Sequence, residues 1–333
     1  MSCFSEPVTI LPLALAILLA RSAAADVVSV RRPDGSTTSR RGKVVDVRAD
    51  FLMLERIAGR PEKIRTDQVL RIDYDRGEPQ QRADAMFESR RYAEAQALYQ
   101  QALAAESREW VQREIMSRRC TSLRNAGRMI EAAEQFVVLV DADPTLYHLD
   151  AAPVVWIAKA PSGAMMRWAA ERLGDSRPAL RAVAASWLLT SPRRSDAVKV
   201  LQQLELESHP RLARWIVFQR QRTAVVRWSD AEVRRFSQRV ATLPESLRAG
   251  PAYLMAMSYR RLGQKESSIE WALRVALLYP HETTIASESL FVAGEASAAI
   301  DRNQDARRIW QLLIERYPGS SAAQRAASRL KSK

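Results

Sequence analysis

Few groups in this chain could do chemistry. The 333 residues hold three histidines and two cysteines. His148 stands near Asp141, Asp143 and Asp150, a grouping that offers donors to a divalent cation. The stretch lacks the turn glycine and the bidentate glutamate of a calcium loop. Cys120 has no histidine close to it in sequence and lies in a stretch of apolar periodicity, which marks a small packing residue and not a nucleophile. Ser328 and Lys331 match a Ser-x-x-Lys spacing by chance, near the C-terminus. No Gly-x4-Gly-Lys, Gly-x-Gly-x-x-Gly, His-Glu-x-x-His or Gly-x-Ser-x-Gly pattern occurs. The expectation is a chain that binds and does not react, with no catalytic residue, no cofactor and no metal.

Binding chemistry is better supplied. Eight tryptophans sit at helical spacing from other apolar residues, so core packing is the first reading for them. Residues 164–240 carry 15 bases against 7 acids. Arg211, Arg214, Arg220, Arg222, Arg227, Arg234 and Arg235 fall in that span. As a solvated strip they would suit an acidic protein, an anionic polymer or anionic lipid head groups.

These side chains must be positioned by a large folded core. Hydrophobic residues make up 47% of the chain, with 11 glycines and 15 prolines, which excludes a disordered or collagenous polymer. Lys and Arg exceed Asp and Glu by 51 to 38, a net charge of +13. The first 25 residues read apart from the rest. Residues 10–20 are an apolar run followed by Ser22-Ala23-Ala24-Ala25, the pattern of a cleavable signal peptide, although Glu6 and no base precedes the run. A span of 11 residues falls short of the about 20 that cross a bilayer. The expected product begins at Asp26, has no transmembrane segment, and is periplasmic or secreted. With Cys3 removed, Cys120 is left without a disulfide partner. An exported chain meets no nucleic acid.

Residues 26–76 read as five short strands. Val27, Val28 and Val30 alternate, Asp34-Gly35 supplies a turn, and Gly42-Lys43-Val44-Val45-Asp46-Val47 alternates again. The run Phe51-Leu52-Met53-Leu54 and the stretch from Val69 to Tyr74 follow. So short a sheet hides its edges best by closing. The order of motifs resembles the SH3-like and Sm-like barrels, which implies a five-stranded β-barrel serving as a cap or a protein-binding module.

From Pro79 onward apolar residues recur every three or four positions, the helical period. A small residue is followed by a bulky one four positions on, an apolar one seven on and proline twelve on. This happens at Ala132, Phe136, Leu139 and Pro144 and at Ala306, Trp310, Leu313 and Pro318, and it recurs at Ser268, Ala272, Val275 and Pro280 with alanine in the bulky place. Ala95, Tyr99 and Ala102 begin a further copy that lacks the proline. Twelve positions before each origin lies another small residue: Ala83, Cys120, Ala256 and Gly294. The pattern resembles the tetratricopeptide repeat, over residues 78–145 and 249–333. Gly294, the stretch from Ala306 to Leu313 and Arg316-Tyr317-Pro318-Gly319-Ser320 resemble its bacterial envelope branch, the outer-membrane assembly lipoproteins and the Tol-Pal coordinator. Between them, residues 146–248 are degenerate, and Gly174-Asp175-Ser176-Arg177-Pro178 looks like a HEAT repeat. The resemblance implies a mainly all-α fold, a right-handed α-solenoid of helical hairpins behind the small barrel. It further implies a concave groove lined by Thr121, Arg124 and Asn125 from one copy and by Tyr253, Met257, Arg260 and Arg261 from another. The function expected is a non-catalytic scaffold whose groove holds envelope proteins, with binding of anionic polymer or membrane surface as the alternative.

Overall fold

The computed structural model describes residues 25–56, 59–223 and 227–331. All but the last residue of the expected signal peptide lies outside the described residues. Five strands come first: β1 (Asp26–Arg31), β2 (Thr37–Val47), β3 (Phe51–Glu55), β4 (Glu62–Arg65) and β5 (Val69–Asp73). Alternation explains them, since Val28 and Val30 of β1 and Leu52 and Leu54 of β3 point inward while their neighbours do not. The β1–β2 hairpin turns at Gly35, whose φ of 84° suits glycine, and Asp34 accepts the Ser36 amide at 2.9 Å. All pairings are antiparallel, in the order β4-β3-β2-β1-β5.

The expected closed barrel is corrected here: the sheet is open, with β4 and β5 as its edges. These edges are only four and five residues long and offer little ladder to each other. The apolar face is covered by helices instead. Phe87, Tyr92, Tyr99, Trp110, Val111 and Ile115 share one core with the strands, so closure is not needed to bury it. The buried Arg113 fastens the arrangement by pairing with Asp46 of β2.

Fourteen helices follow among the described residues: α1 (Glu78–Glu88), α2 (Tyr92–Ala105), α3 (Glu109–Asn125), α4 (Met129–Ala142), α5 (Gly163–Arg172), α6 (Pro178–Leu188), α7 (Arg194–Glu207), α8 (Pro210–Gln221), α9 (Asp230–Ala241), α10 (Ala249–Arg261), α11 (Lys265–Leu278), α12 (Thr283–Ala298), α13 (Asn303–Arg316) and α14 (Ser321–Lys331). No helix among them is long and apolar enough to cross a membrane.

Four hairpins, α1–α2, α3–α4, α10–α11 and α12–α13, are built alike. Each turns on one left-handed residue: Arg90, Gly127, Gly263 and Asp301, with φ of 59°, 78°, 76° and 61°. Each closes the first helix with the same pair of backbone bonds, as in Arg128 N–H to Leu123 and Gly127 N–H to Arg124, and again in Arg302 N–H to Ser297 and Asp301 N–H to Ala298. The small and bulky positions read from the sequence all lie inside these hairpins. Ala83, Cys120, Ala256 and Ser268 are fully buried, and Tyr99, Phe136, Ala272 and Trp310 pack beside them. Cys120 donates from Sγ to the Ala132 carbonyl at 3.1 Å, and Ser268 donates from Oγ to that of Ala256 at 2.9 Å, so the origins touch across the hairpin. At Gly294 the Trp310 ring fills the space a Cβ would need.

Helices pack on their chain neighbours, and α4 on α6, α6 on α8, α10 on α12 and α12 on α14. Seven of the tryptophans are buried, and Trp271 is partly so. The array nevertheless departs from an open solenoid, because its last hairpins return to its first. The Phe87 ring lies 4.9 Å from that of His281, and the Arg90 guanidinium sits 4.4 Å above the Tyr317 ring. Asn125 donates to the His281 carbonyl at 2.6 Å, and Arg124 pairs with Glu282. The helices α5–α9, which lack the repeated turn, carry the chain round to this seam.

Candidate functional site

The seam borders two chambers. The first, about 330 Å³, is polar and lies between α3, the segment after α4, and the α11–α12 turn. Glu114, Ser117, Arg118 and Thr121 enter it from one face of α3, because spacings of three, four and seven bring them to the same side. Tyr147, His148 and Asp150 face them, and His281 and Glu282 close the far side. Arg118 Nε lies 3.4 Å from Glu114 Oε1, and His148 Nδ1 lies 3.9 Å from Glu114 Oε2. Burial pushes the Glu114 carboxyl up, but His148, Arg118 and Arg76 outweigh it and hold it below its ordinary value. Burial likewise pulls the Arg118 guanidinium down, and Glu114, Tyr99 and Asp84 more than restore it. Burial pulls His281 below the usual histidine range, against the attraction of Glu88, whose carboxylate is 3.2 Å from Nε2. A carboxylate held ionised beside an arginine is a fixed charge that orients a ligand's donors.

The second chamber is larger, about 640 Å³, and mainly apolar. It opens between the starts of α4, α5 and α12 and the extended segment at 152–162. Glu282 lines both chambers, and its partner Arg124 lines the second. Arg124 is fully committed, since it also donates to the carbonyls of Asp150 and Ala152, each at 3.1 Å.

The residues expected in one groove are thus distributed. Thr121 lines the polar chamber, and Arg124 and Asn125 line the apolar one. Asn125 is spent on His281 and on Thr283, whose hydroxyl donates to it at 3.2 Å. On α10, Tyr253 is buried and Met257 half-buried against the core. Arg260 is half-buried, and Arg261 is exposed and donates to the Trp228 carbonyl. They form no part of either chamber's lining.

Nor do the arginines of residues 164–240 make one strip. Arg222 is 4% exposed and donates to the carbonyls of Val155 and Ser186, so it belongs to the interior, where it ties an extended segment to a helix end. Arg211 is largely buried, with its carbonyl partner on Tyr147 at 3.0 Å. Arg220 pairs with Glu205 at 2.8 Å and Arg234 with Asp230, while Arg214, Arg227 and Arg235 are exposed.

Two other groupings also dissolve. Asp143 accepts from Thr145, Tyr147 and Arg48, and Asp141 pairs with Arg177, so both carboxylates are spent on other partners. Among the described residues no three His, Cys, Asp or Glu side chains are grouped to hold a metal ion. Cys120 is wholly buried, and burial pushes its thiol up to about 12, far from a reactive thiolate.

Glu114, Arg118 and His281 are site residues that sequence reasoning missed. The first two carried a signal, a polar stripe on α3 in step with Thr121; His281 carried none beyond following Pro280. In comparisons with known proteins, no family model matches this chain and no curated protein matches it.

Proposed function

We propose that this protein is an exported, non-catalytic helical-repeat scaffold of the tetratricopeptide type, which holds a segment of an envelope protein in the polar chamber. The observation that carries the reading is the fourfold hairpin, with one turn geometry and a small-then-bulky code in three of its copies, whose second copy directs Glu114, Ser117, Arg118 and Thr121 into a shared cavity. Stacked hairpins bury their coded faces on one another and leave first-helix positions to meet a partner. Fixed charges of both signs suit a polar segment carrying both. Export rests on the apolar run at residues 10–20 and the small residues after it.

Affinity capture from the envelope fraction tests this, with the full chain, Ser117→Arg and Thr121→Trp as baits. The expected result is a stoichiometric partner retained by the parent and lost from both variants, with far-ultraviolet circular dichroism unchanged. Equal capture by all three baits would refute it. Binding of anionic polymer is the second reading, and it draws on the exposed Arg214, Arg227 and Arg235. Such binding would weaken steeply with salt, whereas capture in the chamber would weaken less.

A further inference from the structure

We propose that the apolar chamber is a binding site for a long-chain carboxylate, with the acyl chain inside and the head group at Lys159. This site is separate from the polar chamber and does not depend on the scaffold reading. Its volume of about 640 Å³ is that of a small-molecule site. Met129, Ile130, Val154, Ile157, Met165 and Trp187 supply the walls, and unbranched methionines adapt to a flexible chain.

Several polar groups on and beside these walls are already spent. Val155 already donates its N–H to Ser186 Oγ at 3.0 Å and accepts from Arg222. The Pro153 carbonyl accepts from Trp187 Nε1 at 2.7 Å, and that of Lys159 accepts from Thr190 at 2.8 Å. Lys159 donates its own N–H to Ile157 at 2.9 Å, and Pro153 and Pro161 have none to give. An acyl chain asks nothing of backbone groups already spent in this way.

Charge selects the head group. Arg124 is saturated by Glu282 and two carbonyls. The Lys159 ammonium is exposed at the rim and has no acidic partner among the described residues. Ser162, the N-cap of α5, and Met165, in its first turn, line the chamber beside it, so the positive end of a helix dipole adds to the same field. Among the described residues, one unpaired cation beside an apolar cavity matches a single anionic head on an apolar tail.

Dibromostearate is the probe, because bromine quenches indoles in contact with it, and Trp156 and Trp187 line the chamber. Titrated below its micellar concentration into the full chain, it is expected to quench a minor, saturable part of the tryptophan emission at one molecule per chain, and palmitate should reverse this. Lys159→Glu should weaken binding by about tenfold. Ala160→Phe should abolish it by narrowing the mouth. Both positions are exposed, so the fold is kept. Absence of saturable quenching would overturn the proposal. So would equal binding of a cationic amphiphile of the same chain length, quenching only in the presence of phosphatidylglycerol vesicles, or displacement by an apolar nonapeptide library but not by palmitate.

Discussion

Arg222 is the side chain whose loss is expected to disturb the middle helices most. It is buried without an acidic partner among the described residues, and burial draws its guanidinium down to about 10, which leaves it charged at neutral pH. Its hydrogen bonds go to the Val155 carbonyl and to that of Ser186, in the last turn of α6, where backbone acceptors otherwise go unmet. Arg222→Met keeps the bulk, strands the Ser186 carbonyl and leaves that of Val155 only the long bond from Ser186 Oγ at 3.4 Å, with an expected loss of about 1–3 kcal/mol in urea unfolding. Glu114 sets a pH dependence instead. Its folded value lies below the ordinary 4.5, so its contribution to stability is present above that value and disappears as pH falls through the folded one. Glu114→Gln should therefore lose less stability than the parent between about pH 5 and about pH 3, as read by urea titration at each pH.

At the scale of elements, the hairpin turns make the sharpest predictions. Gly127 and Asp301 occupy equivalent left-handed positions, one with glycine and one without. Gly127→Ala should cost about 1 kcal/mol and Asp301→Gly should return about as much, since only a side chain is penalised there. Gly294→Ala should cost more than either, because the Trp310 ring occupies the place of the new methyl. Thermal unfolding of the three variants orders them. Much at this scale was legible beforehand. A small residue must stand where helices approach and a bulky one where they diverge, so Ala132, Phe136, Ser268 and Trp310 announced their burial by spacing alone. The strands were legible too, through Val28, Val30, Leu52 and Leu54. Closure of the sheet was not, because whether Phe87 and Tyr99 or a fifth strand pairing covers an apolar face depends on contacts between distant segments. The same limit hid the polar chamber. The type of Glu114 and Thr121 is visible in sequence, but what faces them across the seam is not.

On the scale of the whole molecule, the seam converts a linear array into one that touches itself. Removing Arg124 and Glu282 singly and together should show coupling, with the double variant losing about 1–3 kcal/mol less than the sum of the singles. His281 makes the seam sensitive to acid. Its folded value lies below the ordinary 6.5, so open forms bind the proton more tightly and closure weakens as pH falls below about that value, with Glu88, Arg90 and Arg118 as the charged neighbours that set the shift. Protection factors of amides at the start of α12, taken relative to the intrinsic exchange rate at each pH, should be lower at about pH 5.5 than at pH 7, and His281→Gln should remove the difference. Distance along the chain adds a kinetic consequence. Arg124 and Glu282 are 158 residues apart, so their meeting requires a very long loop to close before any contact repays it. Each hairpin can form from neighbours alone, but this union comes last. During refolding a population with finished helices and parted ends should accumulate, read as far-ultraviolet circular dichroism that recovers before an energy-transfer pair placed on either side of the seam reports contact.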